Sequence, residues 1–149
     1  MCIRDSLRGK RDLTVVTNGL YTTNELRALL PEATVICSGG ILRDVSFTFV
    51  GPDTEDFFRR FHARKLFVSA TGVTLEHGFT DPNLLEAQVR RAMAGSVDQV
   101  IALVDSTKFG VVSMTTVTAP DDVDIVVTDT DSETAIGLRR LGVDVRIVD

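Results

Sequence analysis

What most limits the fold of this chain is a repeated exchange, from Asp12 onward, between short β-branched runs and longer amphipathic stretches. That exchange is the mark of βα units laid over a parallel sheet. Six runs read as strands: Leu13–Thr17, Thr34–Cys37, Leu66–Ser69, Val100–Val104, Asp124–Thr128 and Val143–Val148. The first five are nearly continuous in apolar character, as strands covered on both sides are. The last alternates at Asp144 and Arg146, which suits an edge strand facing water. The expected architecture is α/β and three-layered, a mainly parallel sheet with helices on both faces.

Between the strands the helices carry physical start signals. Thr22 and Glu25 have capping-box spacing ahead of Leu26, Leu29 and Leu30, and Pro31 ends the stretch. Pro52 suits a first helical position, with Asp53, Glu55 and Asp56 at the positive end and Phe57, Phe58 and Phe61 as the buried face. Asp81-Pro82 is expected to open a third helix whose stripe is Leu85, Val89, Ala92 and Met93. Thr130 and Glu133 form another capping box before Ile136, Leu138 and Leu141, and Gly142 suits the position after the helix. Gly110 to Pro120 reads as an irregular excursion or a small strand. Met1 to Ser6 bears no relation to the rest of the chain and reads as a non-native tail, which leaves residues 7–149 as the folded domain.

Composition removes several classes of function. The 21 acidic and 16 basic residues give a net charge of −5 without any basic run, so this segment is not built to grip a phosphate backbone by counterion release. Apolar runs such as Val100–Val104 are strand-length, far below the roughly 18 residues of a membrane span, and no membrane partner is expected. Two cysteines, Cys2 and Cys37, with no secretory segment before them, point to a reducing cytoplasm. His62 and His77 lack a second ligand at metal spacing. The acidic series Asp121, Asp122, Asp124, Asp129 and Asp131 lacks the glycine of a calcium loop. Neither a metal nor a cofactor is expected.

Ligands of parallel α/β sheets sit beyond the carboxyl ends of the strands, so the residues after each strand are the informative ones. Here they are Thr17-Asn18-Gly19, Ser38-Gly39-Gly40, Ser69-Ala70-Thr71-Gly72, Asp105-Ser106-Thr107-Lys108-Phe109-Gly110 and Thr128-Asp129, almost all small, polar or glycine. Such loops offer backbone N–H groups and hydroxyls to an anion, while Lys108 adds a point charge and Arg43 a planar fork. The set suits a phosphorylated small molecule. Glycine after a strand is also a common tight turn, and each loop alone has that plainer reading. The nucleophile elbow, the dinucleotide fingerprint and the nucleoside-triphosphate loop are all missing from the sequence.

Taken in order, Leu13-Thr14-Val15-Val16-Thr17-Asn18, Gly39-Gly40-Ile41-Leu42-Arg43, Phe49-Val50-Gly51-Pro52, Phe67-Val68-Ser69-Ala70-Thr71-Gly72, Gly78-Phe79-Thr80-Asp81-Pro82 and Asp105-Ser106-Thr107-Lys108-Phe109-Gly110 resemble the carboxy-terminal sensor domain of DeoR-family transcriptional repressors. Val127-Thr128-Asp129 continues the likeness, which runs from Leu13 to Val148. It implies a ribose-5-phosphate-isomerase-like fold and a phosphorylated sugar effector that alters operator affinity. It also implies a homo-oligomeric parent that meets DNA through an amino-terminal helix-turn-helix absent from this sequence. The chain then starts at the family's second strand, incomplete at its amino terminus, without the first βα unit and its Ser-Gly-Thr-Thr-type loop. Under the resemblance, Thr17, Asn18, Gly39, Gly40, Ala70 and Gly72 shape the effector site, Lys108 pairs with phosphate and Asp105 accepts sugar hydroxyls. Arg43 either clamps phosphate or forms a surface ion pair.

The related isomerases place catalytic aspartates in the segment matching Val68–Gly72, where this sequence has no carboxylate. Without a base there, binding without turnover is expected, and no catalytic residue is assigned. The rival reading is a truncated isomerase-like or acyl-transfer enzyme using Asp105, Glu86 or Asp129 as acid or base. A third is a pure oligomerisation module, which would take no ligand.

Overall fold

The structure is a computed structural model that describes Leu7 and residues 9–148. The expected tail, Met1 to Ser6, lies outside the described residues. The chain forms two compact units, residues 1–57 and 58–149.

In the first unit β1 (Leu13–Thr17) runs parallel to β2 (Ala33–Cys37), joined through α1 (Leu20–Leu26) and a 3-10 turn over Arg27–Leu29. Leu26, Leu29 and Ala33 are its buried core, with Leu13, Val15 and Val35 packed against them. A two-residue antiparallel hairpin comes next, β3 (Ile41–Leu42) with β4 (Phe49–Val50), and Pro52 then opens α2 (Pro52–Arg59) as expected. Helix α1 starts at Leu20, two residues before the predicted box. Its cap residue Gly19 has no side chain to offer, and the Leu20 N–H is taken instead by the Phe47 carbonyl at 2.9 Å. The first turn is therefore held by the hairpin, and Thr22 and Glu25 lie inside the helix.

The second unit contains β5 (Ala63–Val68), β6 (Gly72–Thr74), β7 (Gly78–Asp81), α3 (Leu84–Ala94), β8 (Val97–Leu103), β9 (Thr115–Thr118), β10 (Ile125–Thr128), α4 (Glu133–Arg140) and β11 (Asp144–Ile147). Its main sheet is parallel in the order β11-β10-β8-β5, which makes the mainly parallel α/β reading correct and puts the alternating last strand on an edge. Val68, Ala102, Val126 and Val145 are register partners in one row across the four strands. On that face Val100, Ala102, Val126 and Val145 share a core with Ala135 and Leu138 of α4. Burying side chains of this size stabilises by roughly 1.5–3 kcal/mol each, which is why strand-length valine runs suffice to define the sheet.

Alongside stands a three-stranded antiparallel sheet in the order β6-β7-β9. The stretch from Gly110 to Pro120 resolves into β9 and its approach. In this unit two more helix starts shift from expectation. Asp81 belongs to β7, and Asn83 caps α3 by accepting the Glu86 N–H at 3.0 Å. Pro82 is the reason, because the residue before a proline is pushed out of helical conformation into extended. The cap of α4 is Ser132, whose hydroxyl accepts the Ala135 N–H at 3.2 Å. That helix ends as predicted at Gly142, with Gly142 N–H on Arg139 O and Val143 N–H on Leu138 O, the paired bonds of a Schellman ending. Among the described residues no helix is long and apolar enough to cross a membrane.

Candidate functional site

The candidate residues fall into two groups, one in each unit. In the first, β1 and β2 end side by side, with Thr17 paired to Cys37 and the Ser38 N–H on Thr17 O at 2.9 Å. Thr17 turns its hydroxyl to the Gly19 N–H at 3.0 Å. Asn18 is tied at both ends of its length: its carboxamide donates to Phe49 O at 2.9 Å and its backbone carbonyl accepts the Phe49 N–H at 2.8 Å. The residue assigned to shape a pocket thus also fastens the hairpin over the strand end. Arg43 opens the turn of that hairpin, its N–H on Thr48 O and its carbonyl accepting the Phe47 N–H.

The two glycines after β2 differ. A Cβ at Gly39 would meet nothing within 4 Å, so the space beside it is open. Gly40 has φ +122°, and a Cβ there would meet Thr54 Oγ1 and, at 2.8 Å, the Val50 carbonyl. Only glycine fits that position. The buried Thr54 hydroxyl donates to Gly39 O at 2.7 Å and fixes the loop between them.

In the second unit, Ala70 and Gly72 come after β5 and are buried. Gly72 is a close approach of backbone to backbone, since its Cβ would fall on the Val111 carbonyl group and 2.9 Å from Thr80 Oγ1. The Thr80 hydroxyl accepts the Ser113 N–H at 2.9 Å and donates to Gly72 O at 3.2 Å. After β8 a 3-10 turn over Ser106–Lys108 is capped by Asp105, whose carboxylate accepts the Thr107 N–H at 2.9 Å and the Thr107 hydroxyl. Lys108 is half-buried, and no carboxylate among the described residues lies within ion-pair distance of its ammonium. Asp129, after β10, accepts the Ser106 N–H at 2.7 Å and the Ser106 hydroxyl at 3.2 Å, tying two strand-end loops together.

The Thr107 hydroxyl, with the Thr107 N–H and the nearby Lys108 charge, holds the Asp105 carboxyl below the ordinary aspartate range. A lowered folded-state pKa means that the cap's contribution is present above the ordinary aspartate value, and it is lost as pH falls through the folded one. We expect the Thr107 amide signal in a pH titration by NMR to move with a midpoint below 3.8. Asp105→Asn should abolish that titration.

Other sequence candidates find structural employment. His62 meets Asp98 at 2.8 Å on the surface. Asp124 accepts the Val100 N–H at 2.7 Å, and Asp131 pairs with Arg139 at 2.6 Å. Among the described residues no cluster of three His, Cys, Asp or Glu side chains is placed to hold a metal.

One constellation escaped the sequence reading. Helix α3 buries Glu86, Ala87, Val89 and Ala92, so that Glu86 turns inward where the stripe predicts Leu85. Asp81 and Glu86, 5% and 4% exposed, share Arg90, which bonds Asp81 and lies 3.8 Å from Glu86. The only sequence hint is the i, i+4 spacing of Glu86 and Arg90.

Parallel α/β sheets offer ligand sites beyond the carboxyl ends of their strands, and here those loops hold a lysine and several glycines. Comparison with known proteins goes further. A family model described as the DeoR C terminal sensor domain matches residues 1–130, and the chain belongs to that family of sensor domains of transcriptional regulators. The chain is 38% identical over 129 residues to the HTH-type transcriptional regulator GolR of Listeria innocua, covering 87% of this chain and 50% of that protein. It is 32% identical to the HTH-type transcriptional regulator IolR of Bacillus subtilis, over 85% of this chain and 50% of the relative. With a putative aga operon transcriptional repressor of Escherichia coli O157:H7 the identity is 30%, over 95% and 53%. The chain spans about half the length of the curated relatives it matches.

Proposed function

We propose that this chain is the effector-sensing part of a DeoR-type regulator and binds a phosphorylated sugar or sugar-derived metabolite. The observation that carries this reading is Lys108, a half-buried cation on the turn after β8 with no carboxylate within ion-pair distance among the described residues. Such a charge in a partly desolvated strand-end loop favours an anionic ligand over water. Operator DNA is contacted by a helix-turn-helix outside these 149 residues, for a chain of net charge −5 offers a duplex little to hold. The parent is a cytoplasmic homo-oligomer. Turnover is disfavoured because Asp105, Glu86 and Asp129, the candidate acids and bases, are each already engaged by Thr107, Arg90 and Ser106 respectively.

The test is a thermal-shift series with ribose 5-phosphate, fructose 6-phosphate and glucose 6-phosphate. A ligand at a hundred times its Kd should add about 2.7 kcal/mol, and Lys108→Ala should remove most of that gain. A Lys108→Ala chain that responds as the wild type does would sink the assignment; isomer formation in the same mixtures would favour the enzyme.

A further inference from the structure

We infer that Asp129 is a positioning residue for Lys108, holding the turn that aims this lysine at the anionic group of the effector; the inference rests on the reading just given, and every residue in it belongs to the second compact unit. Among the described residues no ion pair fixes the Lys108 ammonium, so its aim is set by the backbone that carries it. That backbone has no donor to spare. From Ser106 to Val111 each N–H is already taken: Ser106 by Asp129 at 2.7 Å, Thr107 by the Asp105 carboxylate at 2.9 Å, Lys108 by Asp105 O at 3.1 Å, Phe109 by Ser106 O at 3.3 Å, Gly110 by Val73 O at 2.9 Å and Val111 by Lys108 O at 3.4 Å. The sequence suggests a loop that offers N–H groups to an anion, whereas the structure leaves this loop the lysine ammonium for that task.

Most of these bonds close the turn on itself, and only two tie it to the rest of the unit. Gly110 fastens its exit to β6, and Asp129, directly after β10, fastens its start, with the Ser106 hydroxyl as a second bond at 3.2 Å. Asp105 caps the turn but moves with it. Asp129 stands on the neighbouring strand, where Val127 of β10 pairs with Leu103 of β8, and so refers the turn to the parallel sheet. Holding the lysine's backbone in place before a ligand arrives removes part of the ordering cost of binding. Charge alone predicts the opposite sign, because taking a carboxylate away from an anion site should tighten the binding of an anion. The two effects can therefore be told apart.

The experiment is calorimetric titration of the 149-residue chain with ribose 5-phosphate, fructose 6-phosphate and inorganic phosphate, using wild type, Asp129→Ala and Asp129→Asn. Asp129 is exposed, so neither change opens a cavity in the core. Asp129→Ala should weaken every phosphate that the wild type binds, sugar-bearing or not, by one common factor of about three to ten. Asp129→Asn should bind at least as tightly as wild type, because its carbonyl oxygen still accepts the Ser106 N–H, its amide donates to the Ser106 hydroxyl, and the negative charge is gone. Unchanged or tighter binding by Asp129→Ala overturns the role of Asp129 alone. So does a loss confined to the sugar phosphates, which would mark a direct sugar contact, or an asparagine variant as weak as the alanine one. A wild type that binds none of the three overturns the functional reading and this inference with it.

Discussion

Arg90→Ala is expected to destabilise the chain by about 3 kcal/mol, read as a lower urea midpoint with an unchanged slope. Two carboxylates that are almost wholly out of water, Asp81 and Glu86, share this guanidinium. Removing one partner of a buried pair strands the other, and the usual cost is about 3–5 kcal/mol. The lower end applies because the Arg90 side chain keeps 25% of its surface in water. The loss should be specific. Arg90→Ala combined with Asp81→Asn should cost less than the sum of the two single changes, because the neutral amide no longer demands a cation. Additive costs would show that the two side chains do not act as a pair. The same contact joins β7 to α3, so its loss should loosen the antiparallel sheet before the parallel one.

That pair also shows what the amino-acid sequence could and could not reveal. The parallel strands are legible because a strand buried on both faces must be apolar along its length, and Val100–Val104 and Ile125–Thr128 are. Gly142 and Pro52 are legible because each acts through its own backbone. The antiparallel sheet is not, since Gly78, Phe79, Thr80 and Asp81 are all buried and so show no alternation. Glu86 gives no warning of its burial, for hydrophobic periodicity cannot register a carboxylate turned inward to meet an arginine. The strand-end loops stand where the sequence places loops. Their internal hydrogen bonds, such as Thr107 on Asp105 or Asn18 on Phe49, depend on contacts that no spacing rule encodes. Several residues of the DeoR-like motifs are accordingly occupied by the fold itself, and Gly78-Phe79-Thr80-Asp81-Pro82 is the strongest case.

Gly78→Val tests that structural reading of the motif, and the expected cost is about 2–5 kcal/mol, combining about 1–2 kcal/mol for forcing a side chain into left-handed backbone with about 1–3 kcal/mol for overpacking. Gly78 has φ +70°, which a β-branched residue rarely adopts. A Cβ there would run into the Thr118 carbonyl oxygen and lie 3.1 Å from Ala119 Cα. These are backbone atoms of β9 and its exit, and they cannot swing aside as a flexible side chain would. Relief requires β9 to slide from β7, where Phe79 pairs with Thr118 and Thr80 with Thr116. That would also pull on the Thr116 hydroxyl, which donates to His77 O at 3.1 Å, and on the Arg91 guanidinium held by Thr116 O. Hydrogen exchange should therefore show lost protection in β7 and β9 while β8 and β10, on the parallel sheet, stay protected. Gly39→Ala is the control, because its Cβ meets open space and should change the urea midpoint little. Equal midpoints for Gly78→Val and Gly39→Ala would mean that the glycine of this motif is held by the ligand site and not by the packing of β7 on β9.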